Sequence, residues 1–356
     1  MKWERAWERE MAPALALPLS VLTVGYRGLL ALRQTLYARG ILKSRRLPCP
    51  VVSIGNVTLG GTGKTPAAEL AVRTLIAMEV TAGVVSRGYG RRTRGTLVVA
   101  DRRGIRADPG AAGDESFLLA RRLPGTPVVV GENRYDAGRT CVEQLGVGAL
   151  VLDDAFQNRT LEKDLEVVLV SGVAPWGNGR LFPRGPLREP MSALARAHLV
   201  VIAGPGDDAS AHAIAATIRA HNPASPVVTA RYEPVECWEI SGATLSLPEL
   251  RGLRLFGFAG IARPENFALT LAELGVSIVG FTEFPDHHWY TRGELEALAA
   301  QARARGADAL VTTEKDAVRC LDLASPPLPV WALAVRLVLT NGGRAWETAF
   351  RRLFQP

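Results

Sequence analysis

Cysteine is scarce in this chain. Its four cysteines (Cys49, Cys141, Cys237 and Cys320) lie far apart and never form a C-x-x-C pair. That excludes a cysteine-based zinc ribbon and a disulfide framework, and it fits a reducing compartment. Lysine is scarce relative to arginine: Lys2, Lys43, Lys64, Lys163 and Lys315 stand against 37 arginines. Long apolar runs are missing too. The N-terminal apolar stretch, residues 11–26, contains Pro13 and Pro18 and falls short of the ~20 residues that span a bilayer. The segment before it mixes Lys2, Arg5 and Arg9 with Glu4, Glu8 and Glu10, which suits a signal peptide poorly. Internal repeats, low-complexity tracts and an aromatic-rich basic patch that would stack nucleic-acid bases are all absent.

What is present reads as a globular chain. Hydrophobic residues are 47% and charged residues 22% of 356 residues, a length that suits two domains. The formal charge of +7 favours anionic partners such as anionic lipid or a phosphorylated substrate, and arginine's planar fork suits phosphate oxygens. A genomic bias toward arginine would produce the same excess. Residues 11–26 read as a helix lying in a membrane interface, with Trp3 and Trp7 as interfacial aromatics; a buried core helix is the other assignment. Any membrane contact is then peripheral.

From residue 50 onward, short β-branched runs alternate with helical patterns. Expected strands are 51–54, 83–86, 96–100, 127–130, 149–153, 166–170 and 199–203, and expected helices are 65–78, 114–122, 133–145 and 209–221. Fully apolar strands separated by helices indicate an α/β fold, a mostly parallel sheet covered on both faces. The texture changes near residue 228. Strands 236–240, 254–259, 277–281 and 309–312 with helices 265–274 and 292–305 predict a second, smaller α/β domain. The expected division is an N-terminal segment 1–45, a core 46–228 and a smaller domain 229–356 that closes over the site.

The apolar strand 51–54 runs into Gly55-Asn-Val-Thr-Leu-Gly-Gly-Thr-Gly-Lys-Thr65 and then a helical pattern. Strand, glycine-rich loop and helix are the order of a phosphate-binding loop. Backbone N–H groups of Thr58, Gly60, Gly61, Thr62, Gly63, Lys64 and Thr65 would close around a phosphate, aided by the helix N-terminus. Lys64 would reach the outer phosphates and Thr65 would ligate Mg²⁺. Thr58 stands where the strict pattern has glycine. The strand 149–153 ends in Asp153 and Asp154, carboxylates placed to complete the Mg²⁺ shell; alone they would read as turn residues.

At this point the chain resembles a known family. GNVTLGGTGKTP (55–66), SRGYGRR (86–92), GDE (113–115), DDAFQN (153–158), GNGRLFPRGPLRE (177–189), FPDHHWY (284–290) and TEKDAVR (313–319) occur in that order. Together they are similar to the tetraacyldisaccharide 4'-kinases of Gram-negative bacteria, over residues 46–190 and 254–320. A threonine at the Thr58 position belongs to that family's loop. The resemblance implies a P-loop core with a smaller second domain, the active site between them, and a membrane-docked N-terminal helix. It implies ATP as co-substrate with Mg²⁺, and transfer of phosphate to the 4'-hydroxyl of a tetraacylated disaccharide 1-phosphate. That transfer yields lipid IVA at the cytoplasmic face of the inner membrane. No nucleic acid and no obligate protein partner are expected.

The resemblance also implies roles. Asp114 is the expected catalytic base and His287 its partner, with His288 as the fallback. Arg188 would neutralise phosphoryl charge, and Glu189 would help hold Mg²⁺. Tyr89, Arg87, Arg91, Gln157 and Asn158 would face the acceptor. Other readings stand beside these: Asp114 as a helix cap, the histidines as a surface pair, Arg188 and Glu189 as an ion pair, the arginines as a solvated face. Glu314-Lys315-Asp316 matches the pattern without an assigned chemical role. The chain reads DDAFQN where the family usually has DDGFQH, so Ala155 is expected to avoid positive φ and Asn158 removes a titratable group. Two other function classes are compatible with a phosphate loop: an NTPase driving a conformational change on nucleic acid or protein, and a membrane scaffold with a silent loop.

Overall fold

The computed structural model describes Trp7 and residues 13–204, 206–323 and 328–355, with side chains of the first helix from residue 16 onward. Helix α1 (Pro13–Ala38) is followed by β1 (Val51–Asn56), the glycine-rich loop and α2 (Lys64–Ala77). Then come β2 (Ala82–Ser86), the hairpin β3 (Leu97–Asp101) and β4 (Gly104–Ile105), and α3 (Pro109–Ala112), which turns at Gly113 into α4 (Asp114–Arg122). Next are β5 (Val128–Val130), α5 (Arg134–Arg139), β6 (Ala149–Asp153), β7 (Leu165–Ser171), β8 (Leu199–Ala203) and α6 (Asp208–His221). The long β9 (Val227–Glu239) pairs with the short β10 (Thr244–Leu245) ahead of α7 (Leu247–Arg251). The remainder is β11 (Arg254–Ala259), α8 (Pro264–Glu273), β12 (Ser277–Glu283), α9 (Arg292–Ala304), β13 (Ala309–Thr313), α10 (Glu314–Val318), β14 (Val330–Asn341) and α11 (Gly343–Arg351).

One sheet runs through the molecule in the order β12-β11-β13-β14-β9-β8-β7-β1-β6-β2-β5-β3-β4. It consists of two mostly parallel blocks, the first of them edged by the antiparallel β3 and β4. The blocks meet where β14 and β9 pair antiparallel, from Trp331 opposite Glu239 to Asn341 opposite Thr229. The expected boundary at 228/229 therefore falls inside β9. The last helix returns to the first block: Trp346 and Phe350 are buried in its core, and Trp346 Nε1 donates to Thr74 Oγ1 of α2 at 2.9 Å.

Alternate residues of each central strand serve opposite faces. Val52, Ile54, Val84, Val128 and Val151 pack under α2 and α4, while Val51, Val85, Val129, Leu150 and Leu152 pack with Ala137 and Cys141 on the other side. Both faces are covered, which is why these strands read as continuous apolar runs.

Helix α1 extends well beyond the expected 11–26. Its Tyr26 and Leu30 pack against the cluster of Phe156, Val168 and Ile202. Its other face leaves Leu17, Val21 and Val24 exposed at 73%, 68% and 71%. Trp7 is not an exposed interfacial residue: it is buried, donates from Nε1 to Pro183 O at 3.1 Å, and meets Phe182 edge-on. Trp3 lies outside the described residues. Among the described residues, no helix is long and apolar enough to cross a membrane.

Candidate active site

The site lies at the C-terminal ends of the parallel strands, where open α/β sheets bind ligands. β1 and β6 are neighbours, with Ile54 opposite Asp153. The phosphate loop and the two carboxylates thus leave the sheet side by side. Gly55 allows this approach, because a Cβ there would lie 2.6 Å from Phe156 Cβ.

The loop is fixed from several sides. Asn56 Nδ2 donates to Thr62 Oγ1 at 2.7 Å, Leu59 N to Pro186 O at 2.7 Å, and Arg188 N to Val57 O at 2.8 Å. Thr58 is buried in a bridge to Leu187. Gly60 and Gly63 have φ of 103° and 73°, conformations that favour glycine. A Cβ on Gly63 would also strike Tyr232 Oη of β9. Gly61 is exposed, and Lys64 and Thr65 form the first turn of α2.

Charges gather around this loop. Lys64 Nζ lies 3.9 Å from Asp154 Oδ1, and burial lowers its pKa against the pull of Asp154. Arg188 Nη1 donates to both oxygens of Asp154, at 2.9 and 3.1 Å. Asp154 has φ 49°, a left-handed conformation that Asp tolerates better than most residues. Ala155, by contrast, is not among the positive-φ residues. Asp153 is fully buried and its Oδ1 has no hydrogen-bond partner. Burial, with Glu115 and Asp154 nearby, pushes its carboxyl up to about 7. An unpaired buried carboxylate oxygen calls for a cation.

Among the described residues, no group of three His, Cys, Asp or Glu side chains could hold a metal ion. Mg²⁺ characteristically takes one or two carboxylates and completes its shell with phosphate oxygens and water, so Asp153 and Thr65 fit it. Glu189, also expected at the metal, already has a cationic partner. Its carboxylate takes Arg196 Nη2 at 2.5 Å, and that guanidinium lies over Phe156. The carboxylate expected to help hold Mg²⁺ is thus found in a buried ion pair with Arg196.

The second block brings the other half. α4 begins with Asp114 at the end of the turn at Gly113, and the loop after β12 presents His287. His287 Nδ1 lies 3.1 Å from Asp114 Oδ2, although the two are 173 residues apart. The hydrogen bond to Asp114 raises the proton affinity of His287 against its partial burial. Asp114 is buried, which would raise its pKa, but His287 and Arg319 together hold it well below the usual carboxylate range. His287 has φ 58°, strain of the kind that concentrates at functional sites. His288 points elsewhere. Its Nε2 lies 3.0 Å from Glu294 Oε1, and its ring stacks on Phe284.

The acceptor-side residues divide. The exposed Tyr89 ring lies 5.4 Å from His287. Gln157 Nε2 donates to Asn56 O at 2.8 Å and its carbonyl accepts from Arg33 of α1 at 2.9 Å, while Tyr26 OH donates to Arg188 O at 2.8 Å. Helix α1 is thus tied to the catalytic loops. Arg87 is exposed. Arg91 is already engaged by Glu132 at 2.7 Å, and Asn158 accepts from Thr160 within its own loop; neither is held toward an acceptor.

Sequence reasoning missed Arg134, which is buried with its Nε unpartnered, and whose pKa burial lowers to about 10. It also missed what Glu314-Lys315-Asp316 does. Arg122 at the end of α4 pairs with Glu314, which accepts from Trp238 Nε1 at 3.1 Å, and Arg122 also pairs with Glu69 of α2 at 2.8 Å. Lys315 pairs with Glu115. Asp316 accepts from Gly260 N, Tyr290 OH and Arg319. α10 therefore grips α4 along its length.

A family model described as Tetraacyldisaccharide-1-P 4'-kinase matches residues 15–355. A tetraacyldisaccharide 4'-kinase of Syntrophus aciditrophicus is 39% identical over 346 residues, covering 94% of this chain and 92% of that protein. One from Anaeromyxobacter sp. (strain Fw109-5) is 44% identical over 342 residues, with the same coverage. Among solved structures, LpxK from Aquifex aeolicus in complex with ATP superposes with a TM-score of 0.77 at 28% identity, covering 96% of this chain and all of that one. By sequence along nearly its whole length, this chain belongs to the tetraacyldisaccharide 4'-kinase family.

Proposed function

We propose that the protein is a kinase that transfers the γ-phosphate of ATP to the 4'-hydroxyl of a tetraacyldisaccharide 1-phosphate, forming lipid IVA in lipid A biosynthesis. The observation that carries this reading is the family match running through both blocks, from the phosphate loop to the segments that bear His287 and Arg319. The glycine-loop amides and Lys64 bind and orient the triphosphate, and Arg188 neutralises phosphoryl charge. Asp153 and Thr65, with Asp154 beside them, would hold Mg²⁺, which when bound neutralises charge on the phosphate oxygens. The Asp114–His287 pair takes the proton of the acceptor hydroxyl. Because Asp114 is held acidic while His287 is held basic, the proton comes to rest on the imidazole. The test follows labelled γ-phosphate from ATP. Label in the lipid disaccharide is expected; release of free phosphate stimulated by nucleic acid, or no turnover, would contradict the reading.

The same reading puts the protein at the cytoplasmic face of the inner membrane, where ATP meets a lipid acceptor, with the exposed face of α1 in the interface. Removing α1 would also remove the contacts to Arg188 and Gln157, so surface changes are the cleaner probe. Burial of one Leu or Val side chain is worth ~1.5–3 kcal/mol. The triple substitution Leu17→Ser, Val21→Ser and Val24→Ser should therefore weaken binding to anionic vesicles by more than ~10²-fold. Its thermal midpoint should stay near the parent value. Unchanged co-sedimentation would rule the anchor out.

A further inference from the structure

Arg319 lies just beyond α10, in the motif that the sequence left without a role, and its side chain is fully buried. Its Nε donates to Asp114 Oδ2 at 2.8 Å and its Nη2 donates to the same oxygen. Nη1 donates to Gly260 O at 2.8 Å and to Asp316 Oδ1 at 3.1 Å. Asp316 is itself fixed by Tyr290 OH at 2.8 Å, Gly260 N at 3.0 Å and Thr313 Oγ1 at 2.6 Å. Gly260 is closely packed, since a Cβ there would lie 3.0 Å from Pro285 O and Tyr290 Oη, tighter than side chains usually pack. Arg319 is thus seated in a rigid frame of the second block and reaches across to the first.

We propose that Arg319 is the positioning residue of the Asp114–His287 pair. Its fork fixes the Asp114 oxygen on which His287 Nδ1 also rests, and so aims the imidazole at the acceptor hydroxyl. Asp114 Oδ1 accepts from Glu115 N at 2.9 Å and, among the described residues, has no side-chain partner. Lysine keeps the charge but lacks the planar fork. This proposal rests on the kinase reading and adds a residue to it. The charged and titratable groups around the pair are Glu115 on α4, Lys315 and Asp316 on α10, Asp286 and Tyr290 on the loop after β12, and Tyr89 beside the ring. Lys64 on α2 faces Glu115.

The experiment compares Arg319→Lys and Arg319→Gln in the full chain. A displacement near 1 Å at a reacting group costs about 10²-fold. Arg319→Gln should lower kcat by about that factor and move the acid limb of the kcat profile to higher pH, because a positive charge beside His287 is lost. Arg319→Lys should lower kcat about tenfold and leave the acid limb in place. In both, KM for ATP should stay within about twofold, and in an Asp114→Ala background Arg319→Gln should change kcat by less than about twofold. A lowered thermal midpoint with unchanged kcat in Arg319→Lys would overturn the proposal. So would losses that multiply in the double variant. Wild-type protein that transfers no phosphate to the lipid would overturn the kinase reading itself, whereas an active wild type with indifferent Arg319 variants would remove only this residue.

Discussion

Asp114→Ala is expected to lower kcat by ~10²–10⁴-fold while KM for ATP stays close to the parent value. The separation of effects follows from the architecture. Asp114 contacts His287 and Arg319 from the second block, whereas the loop amides and Lys64 belong to α2 and its approach. Asp114→Asn keeps the shape and loses the charge, and should fall in the same range. His287→Gln should cost about 10²-fold.

The pH dependence has a definite sign. His287 accepts a proton only when neutral, and Asp114 holds its pKa above the ordinary imidazole value. Activity should therefore be full above that raised pKa and fall as pH drops through it. Asp114→Asn removes the raising charge, so the residual activity should persist to lower pH. An acid limb that stays in place in this variant would separate the two residues.

Lys64→Ala is the second large expected effect, a loss of ~10²–10³-fold in kcat, accompanied by weakened ATP binding. Folding should survive, because Asp154 keeps its two bonds from Arg188. Isothermal titration with ATP and Mg²⁺ measures the binding part directly. Parent-like affinity and turnover would show that the loop cradles something other than the triphosphate.

Much of the first block could be read from residues alone. β6 and β8 lie where apolar runs predict them, and α4 spans the expected 114–122. Local pattern suffices there because strands buried on both faces announce themselves. β9 was harder, since Val227–Glu239 mixes Arg231, Glu233 and Pro234 into the run, and a register shift interrupts its pairing near Pro234. The helix Gly343–Arg351 begins on a left-handed Gly342 without a side-chain cap, so the usual start signal is missing. The site was partly readable. The loop, Asp153 and the pairing of Asp114 with His287 follow motifs, but the clamp between α4 and α10 joins residues about 200 positions apart. No spacing rule carries that information. The same limit explains Glu189, whose charge in a string of letters says nothing about Arg196 folding back upon it.

The most direct test of the central claim uses two acceptors. Wild-type protein is incubated with γ-labelled ATP and Mg²⁺, and with either tetraacyldisaccharide 1-phosphate or its 4'-deoxy analogue. The account predicts label in the first lipid and none in the second. Label appearing in the 4'-deoxy lipid, or in neither while free phosphate accumulates, would contradict it.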